Sequence, residues 1–197
     1  MNRPASATQA YDKKREQLLR AAATCFNEKG YSGTSLKDVA RHLGLTDAAI
    51  YYYMNNKRQL LFECYLRAVQ AGEEAMTLGE DHSGVGLERA RVYLTRHLEL
   101  LCGESGPFAI MSEIPALDQE QRALILNHSR QHSRRFEALL LQGVKDGSIK
   151  DCDIRMTGNA IMGSINWIPK WFRGDAQQAR QIVATFPAVL LGGLQCA

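Results

Sequence analysis

Three consecutive tyrosines followed by a lysine are the residues of this chain whose types and spacing best suit contact with an anion. On a helix, Tyr51, Tyr52 and Tyr53 point in directions roughly 100° apart, so they cannot all be buried. An exposed tyrosine hydroxyl donates a hydrogen bond to a phosphate oxygen, and Lys57 would begin the next helix, where free backbone N–H groups also favour an anion. These residues predict a phosphate-binding surface. The alternative is that they are ordinary surface residues.

Two short helices joined by a tight turn would position these side chains. Thr34 and Ser35 provide N-cap chemistry for the first of them, and Gly44 ends it. Thr46 caps the second, which we expect to run from Asp47 to Tyr53 with Ile50 facing inward. This arrangement predicts a helix-turn-helix, whose second helix enters the major groove of DNA.

Helical periodicity continues on both sides of this unit. We expect a first helix over Lys13 to Lys29, preceded by a frayed arm over residues 1–11. A fourth helix opens at Asn56, which forms a capping-box pattern with Gln59, and a polar link follows at Thr77 to Gly86.

Electrical charge is distributed unevenly along the chain. The whole protein has 24 basic and 21 acidic residues and a formal net charge of +3. Residues 1–60 contain ten Lys and Arg against five Asp and Glu, so this part is +5 and the remainder is −2. The attraction for a polyanion is therefore concentrated in the first third of the chain.

The remaining sequence predicts more helices and no sheet. We expect further helices over Leu87 to Cys102, Pro107 to Ile114, Asp118 to Val144, Asp153 to Trp171 with a break near Pro169, and Asp175 to Leu191. The fold class is therefore all-α, with about nine helices in total. We expect an N-terminal helix-turn-helix domain over residues 1–58 and a larger helical domain for effector binding and dimerisation over residues 59–197.

Several functional classes are disfavoured by the cysteines and by the apolar runs. The five cysteines are scattered, with no C-x-x-C pair and no clustering with histidine, so neither a disulfide scaffold nor a zinc finger is expected. No apolar run reaches the 18 or so residues that span a bilayer, and the N-terminus has no apolar signal core. We expect a cytoplasmic protein without a membrane partner.

An enzyme and a protein-interaction module are the alternatives from other functional classes. His128 and His132 have the i, i+4 spacing that places two metal ligands on one helical face, but no third ligand and no H-E-x-x-H glutamate accompany them. There is also no Gly-rich phosphate loop and no G-x-S-x-G turn. We therefore predict no catalytic residue, no metal site and no cofactor. A helical interaction protein that has lost DNA binding stays open.

The segment from about Arg15 to Leu61 resembles the TetR-type regulators. Four motifs carry the resemblance: F-x-x-x-G-Y at Phe26 to Tyr31, T-S-L-K-D-V-A at Thr34 to Ala40, L-G-L-T at Leu43 to Thr46, and I-Y-Y-Y-M-N-N-K at Ile50 to Lys57. A pattern of this length is far more specific than a bare helix-turn-helix. It implies a regulator that binds a palindromic operator as a homodimer and is released by a small effector, with repression as the commonest mode.

The resemblance also implies roles for single residues. The residues implied to face bases are Lys37, Asp47, Ala48, Ala49 and Tyr51, next to the helix cap Thr46. Those implied to face phosphates are Thr34 or Ser35, Tyr52, Tyr53 and Lys57. Asp47 departs from the neutral or basic residue common at its position, and it would either accept from a cytosine amino group or stabilise the helix N-terminus. Met54 replaces an aromatic residue and is expected in the core.

In this family the C-terminal helices form a ligand pocket and a dimer interface. The candidate pocket residues are Tyr93, His97, Leu101, Phe108, Met111, His128 and Phe136, with plain core packing as the alternative. Residues 162–172 resemble the penultimate helix of members that respond to acyl or steroid coenzyme A thioesters. This resemblance implies a hydrophobic, acyl-CoA-like effector, whose anionic head group Arg134 or Arg135 would meet. The alternative is that both arginines are solvated on the long helix. The dimer contact is expected from residues on the last helices, namely Ile161, Ile165, Trp167, Ile182, Phe186, Val189 and Leu190.

Overall fold

Helices account for most of the described chain. The structure is a computed structural model that describes residues 5–103, 106–108 and 111–195. The α-helices in these ranges are α1 (Ala5–Lys29), α2 (Leu36–His42), α3 (Asp47–Ile50), α4 (Lys57–Asp81), α5 (Gly86–Cys102), α6 (Gln119–Asp146), α7 (Ile154–Asn166), α8 (Ile168–Trp171) and α9 (Ala176–Gly192). A 3-10 helix, Met111–Ala116, precedes α6, and one isolated β-bridge joins Ile149 to Gln195. The prediction of an all-α fold is confirmed.

Local capping sets the boundaries of α2 and α3. The hydroxyl of Ser35 accepts from the backbone N–H of Asp38, and the Asp38 carboxylate accepts in return from the backbone N–H of Ser35 at 2.9 Å. Gly44, with φ of +64°, reverses the chain after α2. The Thr46 hydroxyl then accepts from the N–H of Ala49 at 3.2 Å and begins α3. The helix-turn-helix is present as predicted.

Helix α1 begins earlier than expected. We predicted a frayed arm over residues 1–11, but the helix begins at Ala5. The ring of Tyr11 stacks on that of Tyr53 with centroids 5.1 Å apart and meets the edge of Tyr52 at 5.7 Å. This aromatic packing supports the first turns of α1, and a search for helical periodicity has no means of detecting it.

Helix α3 is shorter than expected. The backbone N–H of Tyr52 bonds to the carbonyl of Ala49, and that of Tyr53 bonds to the carbonyl of Ile50, so both bonds span three residues. The chain therefore tightens into a turn after Ile50, and the prediction of a helix through Tyr53 is wrong for its last three residues.

Helix α4 is longer than expected because one glycine packs instead of breaking the helix. We predicted a link over Thr77 to Gly86, but α4 continues to Asp81. A Cβ atom at Gly79 would lie 2.8 Å from the Cβ of Tyr93 and 2.9 Å from the carbonyl oxygen of Arg89. The missing side chain therefore lets α4 and α5 approach each other closely.

Two apolar cores organise the chain. The first joins α1, α2, α3 and the early turns of α4, and Ile50 and Met54 are buried in it as predicted. It also includes Ile114 and Ile125 from the C-terminal part. The second core lies among α4 to α9. The boundary that we expected between residues 58 and 59 falls in the first turn of α4, which contributes to both cores.

Helices α6 and α9 begin and end close to the predicted positions, whereas the helix expected over Pro107 to Ile114 is the 3-10 helix Met111–Ala116. Asp118 caps α6, and Gly147, with φ of +79°, follows its last residue. Asp175 caps α9. The break expected near Pro169 occurs at Trp167, between α7 and α8, with the proline inside the first turn of α8. Within the described residues, no helix combines the length and the apolar character needed to cross a membrane.

Candidate functional site

The residues expected to contact DNA gather on an exposed face of the helix-turn-helix. One surface groove is lined by Ser35, Lys37, Tyr51 and Lys57. Tyr51 and Tyr52 expose 54% and 59% of their surface, which is unusual for large aromatic side chains. The other residues of this set are the exposed Thr46, Asp47 and Ala48 and the half-buried Ala49 and Tyr53. This face offers phenol hydroxyls, an ammonium group and small side chains together.

Thr34 has a structural position that differs from the one expected for a phosphate contact. Its side chain is buried, and its hydroxyl donates to the carbonyl of Gly30 at 2.9 Å, with the carbonyl of Cys25 at 3.1 Å. The hydroxyl is therefore used to close the end of α1. Of the pair Thr34 and Ser35, only Ser35 is exposed on the groove.

Lys57 is anchored within the protein as well as facing the groove. Its ammonium donates to the backbone carbonyl of Tyr31 at 2.8 Å and lies 4.1 Å from the centre of the Tyr31 ring. An ammonium group has three N–H donors, so the bond to Tyr31 leaves capacity for a phosphate oxygen. The anchor fixes where that charge lies.

Lys37 and Asp47 pair with each other across the helix-turn-helix. The Lys37 ammonium lies 3.1 Å from a carboxylate oxygen of Asp47, and both side chains are more than half exposed. Two residues expected to face bases therefore neutralise each other's charge. The sequence alone did not indicate this ion pair, because its members are ten positions apart and a turn lies between them.

A cavity lies among α4, α5, α6 and α7, where the effector was expected. It has a volume of about 140 Å³. Of the seven candidate pocket residues, four line it: His97, Leu101, Phe108 and His128. Tyr93 and Phe136 are fully buried in the core behind the lining, so the core alternative holds for these two. The side chain of Met111 falls outside the described part of the chain.

Several cavity residues were missed by the sequence analysis. Helices α4, α6 and α7 contribute Tyr65, Gly72, Glu73, Ser129, His132, Met162 and Asn166. The i, i+4 spacing of His128 and His132 was a usable signal, since it places both on the face of α6 that lines the cavity, but we weighed it only for a metal. Among the described residues, no group of three His, Cys, Asp or Glu side chains is arranged to hold a metal ion.

Burial lowers the pKa of two histidines in the cavity wall, His97 and His132. Nε2 of His132 shares a 2.7 Å hydrogen bond with the hydroxyl of Tyr93. Desolvation lowers the pKa of His132 and lowers that of His97 to about 3, with His132 as a smaller cause for His97. His97 is therefore a neutral imidazole near neutral pH.

The two arginines proposed for an anionic head group do not line the cavity. The Arg135 guanidinium forms ion pairs with Glu73 and Glu80, and these hydrogen bonds raise its pKa. Arg134 is exposed and does not line the cavity. Neither residue therefore places a free positive charge in the cavity, and contact of either one with a head group stays a prediction.

The cavity wall is tied to α1 by hydrogen bonds. The side-chain amide of the buried Asn27 donates to the carbonyl of Phe108 at 2.8 Å, and the ammonium of Lys170 donates to the carbonyl of Asn27 at 3.0 Å. Arg20 donates to the carbonyl of Gly106 at 2.9 Å. Because Phe108 lines the cavity, this junction connects the cavity to the helix that supports the helix-turn-helix.

The predicted dimer residues divide into three groups, one of which is the half-buried pair Phe186 and Leu190. Ile161, Ile165 and Ile182 are buried within this single chain, so they pack its own core rather than a partner. Trp167 and Val189 are instead 59% and 70% exposed. Exposed apolar side chains on α7 to α9 also include Met156 and Trp171.

Comparison with known proteins connects both parts of the chain to one family. Residues 18–64 match the model of bacterial regulatory proteins of the tetR family, and residues 83–194 match the tetracyclin repressor-like C-terminal domain. The fatty acid metabolism regulator protein of Bacillus subtilis is 25% identical over 178 residues, which cover 88% of this chain and 90% of that protein. The transcriptional repressor KstR2 of Mycolicibacterium smegmatis is 23% identical, covering 92% and 90%.

A solved structure with ligands bound has the same architecture. The crystal structure of AibR in complex with isovaleryl coenzyme A and operator DNA is 26% identical, covers 89% of this chain and 97% of its own, and superposes with a TM-score of 0.70. The C-terminal model alone matches more than half of the chain. This protein therefore belongs to the tetR family of bacterial regulatory proteins.

Proposed function

We propose that this protein is a transcriptional repressor that binds a palindromic operator as a homodimer and leaves it when a small acyl effector binds. The observation that carries the proposal is the exposed face of tyrosines and basic residues on a capped helix-turn-helix. The family is one of regulators, which weighs against the enzyme alternative at His128 and His132. A repressor works on chromosomal DNA, so we propose a cytoplasmic location.

Each part of the chain has its own role in this proposal. Residues 1–58 form the DNA-binding unit and residues 59–197 the unit for effector binding and dimerisation. Lys37, Asp47, Ala48, Ala49 and Tyr51 face base edges, while Ser35, Tyr52, Tyr53 and Lys57 face phosphates. The exposure of the groove supports these assignments, and the small side chains at the start of α3 permit close approach to the bases.

The dimer contact is formed by the last helices. Trp167, Trp171 and Val189 are large apolar side chains exposed in the single chain, and covering them with a second copy would remove apolar surface from water. A two-fold dimer places two recognition helices to read two half-sites about one DNA turn, or a multiple of it, apart.

The effector carries an acyl group of modest size. One relative is named as a fatty acid metabolism regulator, and AibR was solved in complex with isovaleryl coenzyme A. Both support an acyl thioester here. An apolar cavity of about 150 Å³ holds a benzene molecule, so 140 Å³ suits a short or branched acyl chain of about five or six carbons. The nucleotide part of a coenzyme A thioester would lie outside this volume.

Release follows from the junction between the cavity and α1. An acyl chain that displaces Phe108 would strain the bonds from Asn27 and Arg20, and so shift the helix-turn-helix units to a spacing that no longer fits adjacent major grooves. By reciprocity, operator DNA must weaken effector binding by the same factor. An effector that binds equally well with and without operator contradicts this mechanism.

A gel shift with the DNA that flanks the protein's own gene tests the proposed function. We expect a specific complex that isovaleryl coenzyme A or a related thioester dissolves. Lys57→Met should weaken binding to every DNA and reduce the salt dependence by roughly one unit of slope, because one phosphate contact is lost. Lys145→Met, at the exposed end of α6, is the matched control and should bind as the wild type does. Absence of any specific complex would contradict the proposal.

A further inference from the structure

His97 is a buried polar side chain without a hydrogen-bond partner in the cavity wall. Its exposed fraction is 8%, and its Nδ1 atom is fully enclosed with no partner among the described residues. A buried imidazole nitrogen left unpaired costs free energy comparable to a lost hydrogen bond. His97 lines the cavity, so a bound molecule that moves the ring slightly can pair with Nδ1.

The neighbouring polar groups are already partnered with one another. The Tyr93 hydroxyl bonds to Nε2 of His132 at 2.7 Å and lies 3.4 Å from the sulfur of Met162. The His97 ring contacts the rings of both Tyr93 and His132, with centroids 5.7 and 6.1 Å apart, but these contacts are not hydrogen bonds. Of the enclosed side-chain atoms in the described ranges that lack a partner, only the one on His97 belongs to a residue that lines the cavity.

Charge in the cavity disfavours an anionic ligand. Among its described lining residues there is no Lys or Arg, and Glu73 is the acidic one. The Glu73 carboxylate is engaged by Arg135, which therefore has no free charge to offer. Burial keeps the pKa of His97 low, so this ring has no positive charge near neutral pH. A carboxylate placed here would lose its hydration without gaining a lysine or arginine partner.

We propose that His97 recognises the effector through a hydrogen bond from its imidazole N–H to an uncharged carbonyl oxygen, so that the cavity selects an acyl group in ester-like linkage over the free acid. A neutral imidazole has one N–H donor, and the carbonyl of a thioester is an acceptor without charge. The apolar walls hold the hydrocarbon chain, and His97 fixes the carbonyl end. This inference rests on the proposed function, because it names the group that the same cavity reads.

Three probes that share the same branched chain test the selection. S-isovaleryl-N-acetylcysteamine is a thioester without the nucleotide of coenzyme A, its thioether analogue lacks only the carbonyl oxygen, and isovalerate is the free acid. Calorimetric titration of the full-length protein should show the thioester binding roughly five- to tenfold more tightly than the thioether, as expected for one buried hydrogen bond. Isovalerate should bind more weakly than either of the other two.

Variants of His97 show whether this residue causes the preference for the thioester over the thioether. His97→Phe should bind the thioester and the thioether equally, and His97→Gln, which keeps an N–H donor, should retain part of the preference. His82→Asn, at the exposed end of α4, is the control and should keep the full preference. Circular dichroism and thermal unfolding show whether each variant is folded, and the Gln variant carries the test if the Phe variant is not.

The failure of this inference can be told apart from failure of the proposed function. Three results overturn the inference. The first is an equal preference for the thioester over the thioether in wild type and both His97 variants. The others are tighter binding of isovalerate than of the thioester, and no binding of the thioester. A gel shift run on the same preparations reports operator binding separately. A protein that binds its operator and is released from it by isovaleryl coenzyme A, but shows any of these three results, retains the proposed function and loses only the role of His97.

Discussion

The ammonium of Lys37 lies 3.1 Å from the carboxylate of Asp47, on the surface that we assign to DNA bases. Lys37 lies in the first turn of α2 and Asp47 begins α3, so the pair bridges the two helices of the helix-turn-helix. An exposed ion pair adds little to stability. Its greater consequence is for DNA, because Lys37 must exchange Asp47 for a base or phosphate when the operator binds.

Replacing Asp47 should therefore strengthen DNA binding in general. Asp47→Asn removes the competing carboxylate and one negative charge from the binding face, so we expect tighter binding to both operator and unrelated DNA. The ratio between the two affinities should stay the same, because the gain does not depend on sequence. Fluorescence anisotropy with operator and with scrambled DNA, over a series of salt concentrations, measures both.

A matched carboxylate provides the control for Asp47. Asp151→Asn changes the same charge at an exposed position far along the chain, and it should leave DNA affinity unaltered. If Asp47→Asn weakens operator binding while scrambled DNA binds as before, Asp47 accepts from a base instead, and the competition with Lys37 is not its role.

The chemistry of helix ends could be predicted from the sequence because it is local. Ser35, Thr46 and Asn56 each accept from a backbone N–H three residues ahead, and a pattern of four residues is enough to show this. The turn at Gly44 was predictable for the same reason, since a left-handed backbone favours glycine.

Features that depend on distant partners were not predictable from one sequence. Gly79 resembles a helix breaker until the Tyr93 backbone is known to lie against it. Tyr11 resembles part of a loose arm until it is placed next to Tyr53. The sequence indicated His97 and His128, which line the cavity, but it gave no means of separating them from Tyr93, which lies behind the lining.

A second prediction concerns Gly86, where α5 begins against α6. A Cβ atom on Gly86 would lie 2.1 Å from the backbone nitrogen of Gly143, and no flexible side chain is there to move aside. The N–H of Gly86 also donates to Asp146 at 2.7 Å, so the two helices are fixed at this point. Gly86→Ala should lower the free energy of unfolding by about 3 kcal/mol, at the upper end of the cost of overpacking.

Urea denaturation measures this loss, and Gly158 supplies the control. A Cβ atom on Gly158, inside α7, would have its nearest neighbour at 3.6 Å, which is an ordinary contact. Gly158→Ala should be neutral or stabilising by up to about 1 kcal/mol, since alanine favours a helix. Equal stability of the two variants would contradict the close approach of α5 and α6.

The third prediction is a loss of stability in mild acid that depends on His97. Desolvation lowers the pKa of His97 to about 3 in the folded protein, against 6.5 for an ordinary histidine. The unfolded chain therefore binds more protons than the folded chain below about pH 6.5, and stability falls as the pH falls through that value. One histidine contributes a slope of up to about 1.4 kcal/mol per pH unit.

His132 adds to this effect, because desolvation lowers its pKa as well. Charged groups near His132 act in both directions: Glu73 and Glu80 raise its pKa and Arg135 lowers it. Urea denaturation of wild type and His97→Phe at pH 7.5, 6.5 and 5.5 should show a shallower dependence in the variant. An identical dependence would mean that His97 is not buried as a neutral ring.

The fourth prediction concerns Asn27, which joins α1 to the cavity wall. Its side-chain amide donates to the backbone carbonyl of Phe108 at 2.8 Å, and its backbone carbonyl accepts from the ammonium of Lys170 at 3.0 Å. Asn27→Ala removes the first bond and keeps the second. We expect stability to fall by about 1–3 kcal/mol, because the carbonyl of Phe108 loses its buried donor. Asn27→Ala should change the operator affinity of the effector-free protein only slightly. It should have a larger effect on the factor by which effector weakens operator binding.

The quantity to measure is the coupling between the two ligands. Operator affinity is determined with and without isovaleryl coenzyme A, and the ratio of the two gives the coupling, which is commonly 1–3 kcal/mol or roughly 5- to 150-fold. Asn27→Ala should reduce this ratio several-fold, because displacement of Phe108 is no longer transmitted to α1. Thr24→Ala removes a bond that stays within α1, to the carbonyl of Arg20, and should leave the ratio intact. If Asn27→Ala keeps the full ratio, effector binding changes the helix-turn-helix through other contacts. The contacts between α4 and α1 are then the next to test.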